Sequence, residues 1–225
     1  MKNRKRFFQI VILGLIGCII MISLEATIMP QYLYKSMIKV AVFGSCIAVY
    51  YIMNKGTSFL ELIRVKDKKQ LLISLAFGIG VYCVILLGYY VFHILIEPEK
   101  ITSNLLEKEN ISKENFLFVA VYISIVNSFL EEIFFRGFLY LEFRKYTKEI
   151  LAAVVSAFLF AVYHIFIIAN WFTIGMFVFL LVGLMASGLI FNFFDRKGSV
   201  LNAWILHVAA NLGINTVGFI LLGMV

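Results

Sequence analysis

The residues of this chain that could do chemistry lie where polar side chains are costly. Glu131, Glu132 and Arg136 fall in one apolar run, His164 in the next, and His207 and Asn211 in the last. A charged side chain near the centre of a membrane-spanning helix costs about 2.5–3.5 kcal/mol, so two carboxylates and a guanidinium left unpaired in one span would cost roughly 7–10 kcal/mol. Something must offset that cost. Glu132 and Arg136 are i, i+4 neighbours on one helix face and can pair, which leaves Glu131, about 100° further round, free. A carboxylate and an imidazole in such a setting can take a proton from water and return it to a leaving amine, the general-base route to peptide hydrolysis. Donors on one face, such as His207 and Asn211, can stabilise the oxyanion formed when water attacks a carbonyl. No serine or cysteine is placed as a nucleophile.

The same spacing recurs in the elements that must position these groups. Phe160 with His164, and His207 with Asn211, share helix faces, Asn127 and Ser128 precede the glutamates by one turn, and Asn215 follows Asn211 by one. Counted at 1.5 Å per residue from the helix ends near Arg144, Glu149 and Gly198, Glu131 is about 20 Å deep, His164 about 22 Å, His207 about 13 Å and Asn211 about 20 Å. Polar ladders on three helices at comparable depths predict one interior cavity.

Composition sets the surroundings. Of 225 residues, 62% are hydrophobic and 15% charged, against about 45–50% and about 25% in soluble domains. That excess belongs in lipid. Seven apolar segments can be drawn, 7–24, 37–53, 71–96, 116–140, 150–168, 173–194 and 199–225. Their lengths suit helices rather than barrel strands. The expected fold is all-α, a polytopic transmembrane helix bundle of about seven spans (six to eight). Fourteen Lys and Arg fall in the N-terminal tail and the connectors 54–70, 141–149 and 195–198, and five in the alternate ones, which predicts a cytoplasmic N-terminus in a multi-pass cell-membrane protein. The N-terminal run is read as a retained anchor, since 25–27 offers no cleavage site.

The net charge of +7 comes from these connectors, so no nucleic-acid partner is expected. Cys18, Cys46 and Cys83 read as buried small hydrophobes, the lone His93 as snorkelling to the interface, and Trp171 and Trp204 as belt residues, with Trp204 near His207 a candidate lining of the substrate path. Gly183 with Ser187 reads as helix packing. Residues 57–70 predict a short interfacial helix or a solvated linker, and the polar loop 97–115 a cap over the site or a plain connector.

In this order, Glu131-Glu132-Ile133-Phe134-Phe135-Arg136, Phe160-Ala161-Val162-Tyr163-His164 and His207-Val208-Ala209-Ala210-Asn211 resemble the signature of the CAAX protease and bacteriocin-processing family, also called Abi. The resemblance covers about 116–215, dividing the chain into N-terminal spans and connectors without signature (1–115) and a catalytic membrane core (116–225). It implies a glutamate-dependent intramembrane endopeptidase in which Glu131 and His164 activate water, His207 and Asn211 form the oxyanion side, and Glu132 and Arg136 support them. Zinc has been proposed for such sites, and two His with a Glu are acceptable ligands, but a metal-free reading fits the Asn better, so no cofactor is expected. The substrate would be a membrane-associated or secreted peptide. The low-GC bacterial flavour of the composition argues against a prenylated one. The alternatives are a non-catalytic bacteriocin-immunity, scaffold or signalling accessory protein on the same fold, and a proton-coupled transporter, which lacks the expected broken-helix pair or repeat.

Overall fold

A computed structural model describes residues 2–28, 31–54, 58–168 and 172–225. Seven long helical elements dominate it: α1 (Lys2–Thr27), α2 (Tyr32–Met53), α3 (Lys68–Phe92), α4 (Lys113–Lys145), α5 (Glu149–Ile168), α6 (Ile174–Asp195) and α7 (Leu201–Leu221). No strand occurs among the described residues. The chain is an all-α polytopic bundle. Six of the elements are long and apolar enough to cross a membrane, and the remaining one, α5, offers the shorter apolar stretch Glu149–Ile165. Their outward faces are apolar too, with Phe118 77% and Ile79 69% exposed, a surface suited to lipid and unsuited to water.

Local signals set the helix ends. The Asp67 carboxylate accepts from the Lys69 and Gln70 backbone N–H groups at 2.9 and 3.2 Å and caps α3. Lys197 on the neighbouring connector bonds the same carboxylate at 2.5 Å and holds it below the usual carboxylate range. A reciprocal Ser112–Asn115 box starts α4. Gly198, at φ +97°, supplies the left-handed residue between α6 and α7. Within 58–67 the only helical turn is Leu60–Leu62, so the expected interfacial helix is replaced by a wedge: the buried Leu62 accepts from Val200 N–H at 2.9 Å and packs under Gly137.

Close approaches occur at small residues, as expected, but not at the pair singled out from the sequence. A Cβ on Gly183 would meet nothing within 4 Å, whereas one on Gly188 would lie 2.9 Å from the Ala157 Cα. Gly78 against Ala209 and Gly213 against Ile85 form the α3–α7 seam. Beneath the polar residues, Phe43 of α2 stacks on Phe134 of α4 at 3.9 Å, with Phe135 and Tyr163 edge-on to Phe43. Cys18 and Cys46 are buried in this core, but Cys83 faces outward, and His93 is exposed at the end of α3 with Nδ1 on Tyr90 O. Trp171 lies outside the described residues.

Segment 97–112 carries a short helix, Pro98–Ser103, and packs Ile101, Leu105 and Ile111 against Phe116 and Leu222. Its Glu109 is tied to Lys35 at 2.8 Å, and Lys35 also binds Glu25 at 2.9 Å. The loop is thereby clamped to α1 and α2.

Candidate active site

The glutamate helix α4 is not a regular α-helix. Its α-helical start, Lys113–Tyr122, gives way to π-helical turns at Ile123–Asn127 and Glu132–Glu142, with one α-turn, Ser128–Glu131, between them. Wide turns of this kind are rare and concentrate at functional sites. They rearrange the backbone ladder, and side chains of α7 add a second donor to carbonyls that already accept from helix N–H groups. Trp204 Nε1 donates to Ile125 O at 3.1 Å, Asn211 Nδ2 to Ile123 O at 3.1 Å, and Asn215 Nδ2 to Ala120 O at 3.2 Å. The polar ladder read on α7 is thus a set of rungs against α4.

Glu131 is 2% exposed and Glu132 and Arg136 are fully buried. Two imidazoles converge on one carboxylate oxygen. The Nε2 atoms of His164 and of His207 each lie 3.8 Å from Glu131 Oε2. His164 Nδ1 bonds the Phe160 carbonyl at 2.7 Å. A carbonyl only accepts, so Nδ1 carries the proton and Nε2 is the nitrogen turned toward Glu131. The FxxxH spacing therefore works through the Phe160 backbone, while its ring, 4.5 Å from the imidazole, packs against it. His207 Nδ1 lies 2.7 Å from Glu132 Oε1, fixing the second imidazole in the same sense.

Glu132 is placed 3.2 Å from Arg136 Nε, as the i, i+4 spacing predicts. The guanidinium lies between the rings of Phe160 and Phe191, at 4.1 and 4.9 Å from their centroids. Asp195, fully buried at the end of α6, accepts from Ala203 N–H at 2.9 Å. Its position at a helix end hid it in the sequence.

Glu131 is not free. Lys39 of α2 reaches it with Nζ at 2.9 Å from Oε1 and donates to Asn127 Oδ1 at 2.7 Å, and Asn127 Nδ2 donates to the same Oε1 at 3.0 Å. Only the i, i+4 relation of Asn127 and Glu131 could be read from spacing. Lys39 lies 92 residues away from Glu131, and its sole sequence signal is a lysine inside an apolar run. Asn211 joins the site differently from its expected place, with one amide N–H committed to the Ile123 carbonyl. Among the described residues no group of three His, Cys, Asp or Glu has an arrangement able to hold a metal ion.

These buried groups sit in the part of the chain that matches a family model. Residues 113–213 match that of the type II CAAX prenyl endopeptidase Rce1-like family. This stretch is similar to an Rce1-like domain. That domain spans α4 to most of α7, and so contains both glutamates, both histidines, Arg136 and Asn211, but not Lys39. The Rce1-like family is one of membrane proteases, and the six long apolar helices make this chain a multi-pass membrane protein. No curated protein and no solved structure matches the chain.

Proposed function

We propose that the chain is an intramembrane endopeptidase in which Glu131 is the general base. The observation that carries this reading is the shared oxygen: Glu131 Oε2 faces both Nε2 atoms at 3.8 Å while its Oε1 is occupied. A water seated between them donates a proton to Oε2, aided by His164 Nε2, as its oxygen attacks the scissile carbonyl carbon. The tetrahedral oxyanion accepts from His207 Nε2–H and the second amide N–H of Asn211. In that role His207 carries hydrogen on both ring nitrogens, with Nδ1–H directed at Glu132 Oε1. The C–N bond then breaks, and the proton held by Glu131 passes to the amine. The route uses no metal, in keeping with the Lys39 ammonium already 2.9 Å from Glu131, which repels a second cation there.

The substrate is a peptide segment presented within or against the bilayer, secreted or membrane-associated, and the N-terminus is cytoplasmic in a bacterial cell membrane. Quantitative comparison of membrane and secreted peptides between wild type and Glu131→Gln tests the reading. Glu131→Gln keeps size and hydrogen bonding but removes the base. Products that vanish in that variant, with the protein still inserted and folded, identify substrate and activity together. An unchanged product profile in Glu131→Gln sinks the proposal in favour of a non-enzymatic accessory role.

A further inference from the structure

The Lys39 side chain is buried, 5% exposed, in the second helix, outside the matched domain. Its ammonium meets Asn127 Oδ1 at 2.7 Å, Glu131 Oε1 at 2.9 Å and the Tyr163 ring face at 5.2 Å. With Asn127 donating to the same Oε1, Lys39, Asn127 and Glu131 close a ring of three hydrogen bonds. Two donors on one carboxylate oxygen fix the plane and rotation of the carboxylate. Oε1 points toward α2, and Oε2 is left directed at the two imidazoles.

A buried ion pair is poor evidence of stability, because the desolvation of two charges rivals their attraction. An apolar residue at position 39 would insert into the bilayer more readily than a lysine. The lysine therefore calls for a reason in the chemistry. From this geometry we infer that Lys39 is a positioning residue for the reaction, clamping Oε1 of Glu131 so that Oε2 alone is presented to water and held ionised between turnovers. This rests on Glu131 being the base. It also makes the site incomplete without the N-terminal half of the chain.

Lys39 acts on no substrate atom, so its loss lowers kcat and leaves KM nearly unchanged. The charged and titratable groups around the carboxylate are Lys39 and Tyr32 of α2, Arg136 of α4, Tyr163 and His164 of α5 and His207 of α7. Without the ammonium, a buried carboxylate takes up a proton more readily, and the base must be unprotonated to work. The acidic limb of the rate profile then moves to higher pH. Full-length Lys39→Met, Lys39→Arg and Glu131→Gln are compared in detergent on a peptide identified from the product profile above, with folding followed by thermal unfolding.

The expected result is a fall in kcat of about 10- to 100-fold in Lys39→Met, up to the loss that a misplacement of about 1 Å of a reacting group causes, with the acidic limb moved upward and KM within about threefold of wild type. Lys39→Arg should recover most of kcat and the wild-type limb. If Lys39→Met keeps wild-type kcat and pH profile while Glu131→Gln is inactive, the positioning role is wrong and the base stands. If Glu131→Gln is active, the base itself is wrong. Should Lys39→Met fail to fold, Lys39→Arg decides: a folded Lys39→Arg with wild-type KM, kcat and pH profile supports the cationic clamp, and a folded but inactive one overturns it.

Discussion

The glutamate pair does two jobs because each member has a different cation. Glu131 is met by Lys39 and Glu132 by Arg136. The second pairing was legible in the sequence, since four residues on one helix face is a local relation. The first was not, because it joins two helices and no spacing encodes it. The inner pair holds His207 through Glu132 at 2.7 Å and has no solvent to fall back on. Replacing Arg136 by Met strands Glu132 as an uncompensated buried charge and should cost about 3–5 kcal/mol, read as a lower midpoint of thermal unfolding in detergent. The double variant Glu132→Gln with Arg136→Met removes both charges and should recover much of that loss, while staying catalytically poor because His207 loses its carboxylate partner. Equal destabilisation of single and double variants would show that the stacking of Arg136 between Phe160 and Phe191, and not its charge, is what matters.

At the scale of elements, the seven apolar runs corresponded to seven helices, because twenty-odd apolar residues in lipid have few other ways to satisfy their backbones. The π-helical turns of α4 were illegible. Side chains from other helices bond their carbonyls, Trp204, Asn211 and Asn215 of α7 around the first stretch and Ser156 of α5 at Phe135 in the second, and hydropathy carries no trace of that. Wide turns also climb less per residue than α-turns, which is why depths counted at one rise per residue put His207 shallower than Glu131 although the two meet. Asn215 is a rung without a place in the chemistry, bonding Ala120 O and Ser124 Oγ. Asn215→Leu should destabilise by about 0.5–1.5 kcal/mol, the net worth of a lost hydrogen bond where the Ala120 carbonyl still accepts from Ile123 N–H, and leave kcat nearly intact in the fraction that folds. Asn211→Leu should cost similar stability and abolish turnover. Comparison of unfolding midpoints with activity per folded molecule separates the two.

For the whole molecule, the charge asymmetry of the connectors assigns one side to the ends at Asp67, Arg144 and Lys197, and the other to segment 97–112. A cysteine-free background carrying Arg196→Cys or Glu99→Cys gives the check, as both positions are exposed. An impermeant thiol reagent added to intact cells should label Glu99→Cys and spare Arg196→Cys until the membrane is opened. The reverse pattern would invert the topology and with it the side from which the site receives water. The overall architecture could be read from composition alone, but the division at about residue 115 does not isolate the site. Lys39 crosses it in its pairing with Glu131.

The clamp from α2 to α4 also has a history in time. Lys39 is made 92 residues before Glu131, which at about 5–20 residues per second is an interval of roughly 5–20 s. Through that interval the second helix holds a lysine whose counter-charge has not yet been synthesised, at an insertion cost of about 2.5–3.5 kcal/mol. Until α4 emerges, that cost is not offset by Glu131. The ion pair that orients the glutamate in the finished protein is, during biosynthesis, the event that commits the two halves of the chain to each other.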